Sequence, residues 1–169
     1  SKLNLINYPH VIEKRLNSSI IKVHGNILDQ ILWRIRFYIT KIIFLFDLRY
    51  TKSINLIDSG VANFINKKSY DIVNFHWIVC ETISLSEIKK INKPIVWTLH
   101  DMWAISGIYH YNLDKKYFNQ ECKSAVKKKY FEFLDNITKR RKEILFKEKK
   151  IHLISPSKWL LDEAKKTKL

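Results

Sequence analysis

The sequence feature that most constrains the fold is the run of residues 94–103, Pro-Ile-Val-Trp-Thr-Leu-His-Asp-Met-Trp. A proline followed by β-branched and aromatic residues predicts a strand buried on both faces, as at the centre of a parallel sheet. Ligands of open α/β sheets bind just beyond the carboxyl ends of such strands. His100 and Asp101 follow the strand directly, so we expect an acid–base side chain and a carboxylate at a binding site.

The neighbouring sequence places a second histidine at the same edge. Residues 71–77 predict another strand, and a short helix between the two strands is expected to begin with a capping box of Ser84 and Glu87. Strand, helix and strand within fewer than ~35 residues form a βαβ unit with parallel strands. His76 and His100 are therefore predicted to lie close together.

The remaining patterns complete an α/β fold. Residues 53–68 predict an amphipathic helix, and residues 125–150 a basic amphipathic helix in which a break would fall at 135–136. Residues 151–154 predict a buried strand, Ser157 is expected to cap a last helix over 158–168, and residues 19–24 indicate a further short strand. We expect one Rossmann-like domain, a parallel sheet with helices on both faces.

Net charge and cysteine content indicate which partners and which cellular compartment suit the protein. Lys and Arg total 31 against 16 Asp and Glu, a formal charge of +15 that favours nucleic acid, anionic lipid or phosphorylated substrates as partners, although biased genome composition also explains it. Two cysteines without C-x-x-C spacing and no signal-peptide pattern indicate a reduced, cytoplasmic setting. Residues 27–50 are interrupted by charges and predict a helix that is buried or lies against a membrane.

Three rival chemistries have weaker support. A metal site would draw on His76, His100, Asp101, His110 and Cys122, which lack the close spacing of zinc ligands. A nucleophilic pair of Cys122 with His110 lacks a local signature. Nucleic-acid binding rests on net charge and on aromatic residues among lysines, whose helical spacing is more typical of core: Tyr117, Phe118, Tyr130 and Phe131.

A family resemblance rests on four stretches of the chain. They are residues 71–78, residues 93–104 with the block Thr-Leu-His-Asp-Met-Trp, the pair His110-Tyr111, and residues 154–160. Together they resemble the amino-terminal domain of family-4 glycosyltransferases, in particular bacterial enzymes of the colanic-acid and exopolysaccharide type. The resemblance spans about residues 54–169 and leaves residues 1–52 poorly matched.

The resemblance implies one half of a GT-B fold, in which two Rossmann-like domains face each other across a cleft. It implies retaining transfer of a sugar from a nucleotide-sugar donor to a glycan or lipid-linked acceptor in cell-surface polysaccharide synthesis, without an essential metal or other cofactor. The basic helix over 125–150 and the segment 27–50 add the expectation of peripheral contact with anionic lipid at the inner face of the plasma membrane, where a lipid-linked acceptor would be found.

The resemblance also assigns roles to matching residues. His100 is expected to orient the sugar or acceptor, and Asp101 to position groups first and act as a general base second. The residues expected to contact substrate are His76, Trp77, Trp103, His110, Ser157 and Lys158. The last two match a strand-to-helix turn, where a helix N-terminus and a cation suit a diphosphate.

The sequence also departs from the family pattern, and these departures change the activity that we expect of the chain. The family's donor-binding carboxyl-terminal domain, its glycine-rich loop and most of its cysteine cluster are missing from these 169 residues. We therefore expect an acceptor-side domain, a fragment or degenerate product with negligible turnover alone. The competing hypothesis is a noncatalytic basic α/β module that binds nucleic acid.

Overall fold

A single parallel sheet organises the computed structural model, which describes residues 27–167. The strands are β1 (Val73–His76), β2 (Ile95–Thr98) and β3 (Ile151–Ile154), in the spatial order β1-β2-β3. Both pairs are parallel, with Val73 opposite Ile95 and Ile95 opposite Ile151. The βαβ prediction is confirmed, and the fold is mixed α/β with a small, open parallel sheet. The strand expected over residues 19–24 lies outside the described residues.

Helices accompany the sheet, and within residues 27–167 all of them except α4 lie in segments that the sequence predicts to be helical. They are α1 (Ile27–Ile43), α2 (Val61–Asn66), α3 (Leu85–Lys90), α4 (Asn112–Glu121), α5 (Ala125–Glu148) and α6 (Lys158–Lys166), with a 3₁₀ turn over Trp103–Ile105. α5 runs unbroken through 135–136, because Asp135 accepts the Ile108 N–H at 2.8 Å and the Lys115 ammonium at 2.7 Å from elsewhere in the fold.

The helix predicted over residues 53–68 is much shorter in the structure. Only α2 is helical, and Asn55 adopts a left-handed backbone with φ 48°. Its side-chain amide donates to the carbonyls of Ile78 and Ile83, the second at 2.8 Å. These tertiary hydrogen bonds hold residues 53–59 outside the helix, so the periodic pattern there overpredicts helix.

Burial of the sheet is one-sided among the described residues. Val73, Phe75, Ile95 and Trp97 are buried, while the alternate positions of β1 and β2 are half-buried. The expectation of a strand buried on both faces is therefore wrong for β2. β3 was also expected to be buried, but Leu153 is 36% and Ile154 49% exposed, because β3 lies at an edge of the sheet.

The core has two parts. The larger one covers the buried face of the sheet, where the Trp97 ring lies 5.8 Å from Phe75 and 6.1 Å from Phe146 of α5. The smaller one joins α1, α4 and α5 and contains Phe118 and Phe131, whose ring centroids are 4.8 Å apart. These two aromatics are core residues, as their helical spacing predicts. The same expectation is wrong for Tyr117, which is 45% exposed.

Glu87 connects two helix N-termini. The predicted capping box is confirmed, since the Ser84 hydroxyl accepts the Glu87 N–H at 3.0 Å. The Glu87 carboxylate also accepts the Gly60 N–H at 2.7 Å and the Ser59 hydroxyl at 2.9 Å. Gly60 is the N-cap residue of α2 and has no side chain to cap the helix, so a carboxylate from α3 supplies the cap.

We predict that Glu87→Gln lowers the free energy of unfolding by about 1–3 kcal/mol, because an amide nitrogen cannot accept the buried N–H groups that the carboxylate satisfies. Urea unfolding followed by circular dichroism measures the change. The matched control is Glu132→Gln on the exposed side of α5, for which a change within about 0.5 kcal/mol is expected. Equal unfolding midpoints for the two variants would contradict the capping role.

Candidate functional site

Two histidines meet at the carboxyl edge of the sheet. His76 ends β1, His100 follows β2, and His76 Nδ1 lies 2.9 Å from His100 Nε2. One nitrogen must donate and the other accept, so the bridge holds a single proton. Burial, and secondarily the charge of His100, lowers the pKa of His76. The side chains that the βαβ unit was expected to bring together are in direct contact.

A lowered pKa means that His76 prefers the neutral form, and its other ring nitrogen, Nε2, explains part of this preference. Nε2 is buried and has no hydrogen-bond partner among residues 27–167. Protonating both nitrogens would bury an unpaired N–H, which costs free energy. His100, by contrast, is exposed. The pair therefore consists of an accessible imidazole, that of His100, and the less exposed imidazole of His76, which holds it by a hydrogen bond.

Asp101 holds together the residues beside the histidine pair. Its Oδ2 accepts Trp77 Nε1–H at 2.9 Å and His110 Nδ1–H at 2.6 Å, and Oδ1 accepts the Trp103 N–H at 2.8 Å. Burial alone would raise the pKa of Asp101, but these hydrogen bonds and the His110 charge outweigh it and lower the pKa. A buried, ionised and fully engaged carboxylate suits the positioning role better than that of a general base.

His110 links Asp101 to Ser53. Because the carboxylate can only accept, Nδ1 of His110 carries the proton, and Nε2 lies 3.1 Å from the Ser53 hydroxyl. These contacts resemble a Ser-His-Asp triad in geometry. Ser53 is only 1% exposed, however, and its oxygen also accepts the Cys80 N–H at 3.4 Å. The arrangement is a buried relay that fixes Asp101, and its hydroxyl is closed to substrates.

Trp103 and Lys142 support the site from behind. The Trp103 indole donates to the Ser53 carbonyl at 2.8 Å, and Lys142 Nζ lies 3.7 Å from the centre of its ring. The Lys142 ammonium also donates to the carbonyls of Trp103, Ser106 and Gly107, although complete burial lowers its pKa well below the ordinary value. This clamp holds the turn that follows Asp101.

Burial separates the predicted substrate contacts into two groups. Trp103 is 1% and His110 2% exposed, so neither reaches a solute in this conformation. In this structure both residues donate hydrogen bonds to Asp101 and support it from the buried side. Trp77 is 54% exposed, and His100 is also exposed. These two side chains are the accessible ones beside Asp101.

The loop after β1 has an unusual backbone. Trp77, Cys80 and Glu81 all have positive φ, between 48° and 58°. Such conformations are costly for residues other than glycine and persist only where the surroundings enforce them. The Glu81 carboxylate, which is buried, accepts the N–H groups of Leu56 at 2.8 Å and Ile57 at 3.1 Å. The orientation of the Trp77 indole is thus enforced by contacts made several residues away.

Ser157 and Lys158 stand at the same edge of the sheet, on the far side of β2. The Ser157 hydroxyl accepts the Leu160 N–H at 3.2 Å and caps α6, as predicted, and both side chains are exposed. Two strand spacings separate β1 from β3, about 10 Å. The cavity lined by Trp77, His100 and Asp101 has a volume of about 10 Å³, room for one water at most. Any larger ligand must bind across the open edge.

The sequence did not indicate three of the residues that build this site. Ser53 lies 57 positions from His110, Lys142 lies 39 from Trp103, and Asn55 lies 23 from Ile78. No local spacing connects such pairs. Within residues 27–167, no group of three or more His, Cys, Asp or Glu side chains is arranged to hold a metal ion. Comparison with protein-family models, curated proteins and solved structures found no match.

We predict that His100→Gln raises the pKa of His76 towards the ordinary value of 6.5, because it removes the neighbouring positive charge while leaving the burial in place. Imidazole ¹H–¹⁵N spectra recorded across a pH titration measure this pKa. His152→Gln, an exposed histidine on β3, is the matched control and should leave it unchanged. An unchanged His76 pKa in His100→Gln would contradict the coupling.

The lowered pKa of His76 also predicts how the free energy of unfolding changes with pH. The folded chain takes up this proton at lower pH than the unfolded chain does, so the free energy of unfolding is predicted to fall as the pH drops below 6.5. His76→Gln should reduce that loss. Urea midpoints at pH 7.5 and at lower pH compare the two chains, and parallel slopes would contradict the prediction.

Proposed function

We propose that this chain is the acceptor-side domain of a glycosyltransferase, with the amino-terminal half of a GT-B fold resembling that of family 4. It would help to transfer a sugar from a nucleotide-sugar donor to a hydroxyl of a glycan or lipid-linked acceptor. The observation that carries the proposal is the accessible pair of Trp77 and His100 at the carboxyl edge of a parallel sheet, where open α/β sheets bind ligands.

Trp77 has the properties of a sugar platform. Its indole N–H is held by Asp101 at 2.9 Å, and half of the residue faces solvent. A fixed aromatic ring offers a flat apolar surface with little loss of conformational entropy on binding, and the C–H face of a pyranose is suited to pack on it. The adjacent His100 imidazole can donate or accept a hydrogen bond to a sugar hydroxyl.

The rest of the edge suits the leaving group of the donor. Lys158 lies in the first turn of α6, and the α6 N-terminus carries partial positive charge towards the same edge. Transfer from a nucleotide sugar develops negative charge on the departing diphosphate, which such groups stabilise electrostatically. The reaction needs a donor-binding domain facing this edge, since the edge itself is open. In this scheme Asp101 positions Trp77 and His110 and transfers no proton.

The test is a titration of the full chain with maltotriose as acceptor probe and UDP-glucose as donor probe, followed by ¹H–¹⁵N spectra. We expect maltotriose to shift the Trp77 indole and His100 imidazole signals. Trp77→Ala should weaken binding roughly tenfold, and Trp77→Phe less, because a ring remains. Phe133→Ala, a ring 59% exposed on α5, is the matched control and should bind normally.

Two results would overturn the proposal. The first is that neither probe shifts any signal at this edge of the sheet. The second is salt-dependent binding of a nucleic-acid duplex, seen as a gel shift, that His100→Ala leaves unchanged. That outcome would favour a noncatalytic basic module, because phosphate contacts weaken with salt and do not require the histidine.

A further inference from the structure

The amphipathic helix α1 is oriented with polar residues towards the protein. Arg36 and Thr40 are each 7% exposed, and Asp47, just beyond the helix, is 8% exposed. The Thr40 hydroxyl donates to the Arg36 carbonyl at 3.0 Å, and Trp33 Nε1 donates to the Cys80 carbonyl at 3.2 Å. These positions recur every three or four residues, so the face that packs on the protein is partly polar.

The outward face of α1 is apolar. We call it the outer face, and it consists of Ile27, Leu28, Ile31, Leu32, Ile35, Tyr38, Ile39 and Ile42, which are between 39% and 76% exposed. Leu45 and Phe46 extend it beyond the helix, at 53% and 65% exposed. A contiguous apolar surface of this kind marks an interaction site on a protein.

The charges around the outer face favour a lipid surface as its occupant. Arg34 is exposed beside the outer face, Lys41 is half-buried in the last turn of α1, and Arg49 is exposed just beyond the helix. Arg36, by contrast, faces the protein. Apolar residues rimmed by cations are the pattern of helices that lie in the interface of an anionic membrane.

Two other occupants fit less well. A second copy of this chain would bring two basic rims together, each on a molecule of formal charge +15, and the repulsion opposes such pairing. A membrane-spanning arrangement is also excluded for α1, since no helix within residues 27–167 is both long and apolar enough to cross a bilayer. An interfacial position satisfies both the length and the charge of α1.

We propose that α1 lies parallel to the surface of an anionic membrane, with its outer face inserted at the boundary between headgroups and acyl chains. The contact between Trp33 and Cys80 joins α1 to the loop that carries Trp77. If the proposed sugar transfer holds, a lipid-linked acceptor would lie in the same membrane to which α1 attaches the protein, and the membrane contact itself does not depend on that function.

The test is co-sedimentation of the full chain with vesicles of phosphatidylcholine containing 30 mol % phosphatidylglycerol, in 0.1 M NaCl. The variant is Ile35→Asp with Ile42→Asp, at the middle of the outer face and 49% and 58% exposed. The control is Leu113→Asp with Phe133→Asp, 57% and 59% exposed on α4 and α5. Both variants add the same two negative charges.

We expect the α1 variant to lose at least about tenfold in partitioning and the control less than about twofold, because only the first places charge in the apolar interface. Vesicles of phosphatidylcholine alone should bind the unaltered chain more weakly. A second measurement avoids any folding defect: Tyr38→Trp, on the outer face, should add a tryptophan signal that brominated lipids quench.

Three outcomes would overturn the membrane proposal. One is that the unaltered chain does not bind the anionic vesicles, and another is that the two double variants lose binding equally. The third is a dimer, detected by analytical ultracentrifugation without lipid, that the α1 variant dissociates. That result would assign the outer face to a second copy. Failure of the sugar titration alone would leave the vesicle result unaffected, so the two proposals are tested separately.

Discussion

The hydrogen bonds to the Asp101 carboxylate are the interactions on which the architecture of the site depends. Three donors from different segments converge on it: the Trp77 indole, the His110 imidazole and the Trp103 N–H. The first fixes an accessible ring, the second extends through Ser53, and the third begins the turn that Lys142 clamps. An ionised group can remain buried only when it is satisfied in this way. Through Asp101, buried groups of the core thus fix the position of the exposed Trp77 ring at the edge of the sheet.

The sequence was sufficient where structure follows from local rules. Apolar runs and the Ser84–Glu87 spacing predicted β1, α3 and β2, and the handedness and length of the crossover then implied that His76 and His100 meet. It failed where distant groups compete with local preference. Asn55 is drawn out of a helical pattern by carbonyls more than twenty residues away, and Ser53 and Lys142 join the site by contacts that have no periodic signature.

The two proposed surfaces have different physical origins. At the sheet edge, buried polar groups hold two exposed rings in fixed positions. On α1, polar groups are turned inward and apolar ones outward, the reverse of an ordinary surface helix. In the first arrangement, burying polar groups costs free energy unless each is hydrogen-bonded, and the fixed geometry that results suits selective recognition. The second provides broad contact area without fixed geometry, which suits a fluid partner.

The edge position of β3 affects whether copies of this chain aggregate in solution. A strand with exposed Leu153 and Ile154, and no further strand beside it within residues 27–167, offers free backbone groups to a neighbouring chain. Lys150 stands immediately before this strand and Lys158 shortly after it. Flanking cations of this kind make the approach of an identical strand unfavourable and act as gatekeepers against aggregation. Lys150 and Lys158 thus oppose the pairing of β3 with the same strand of another copy.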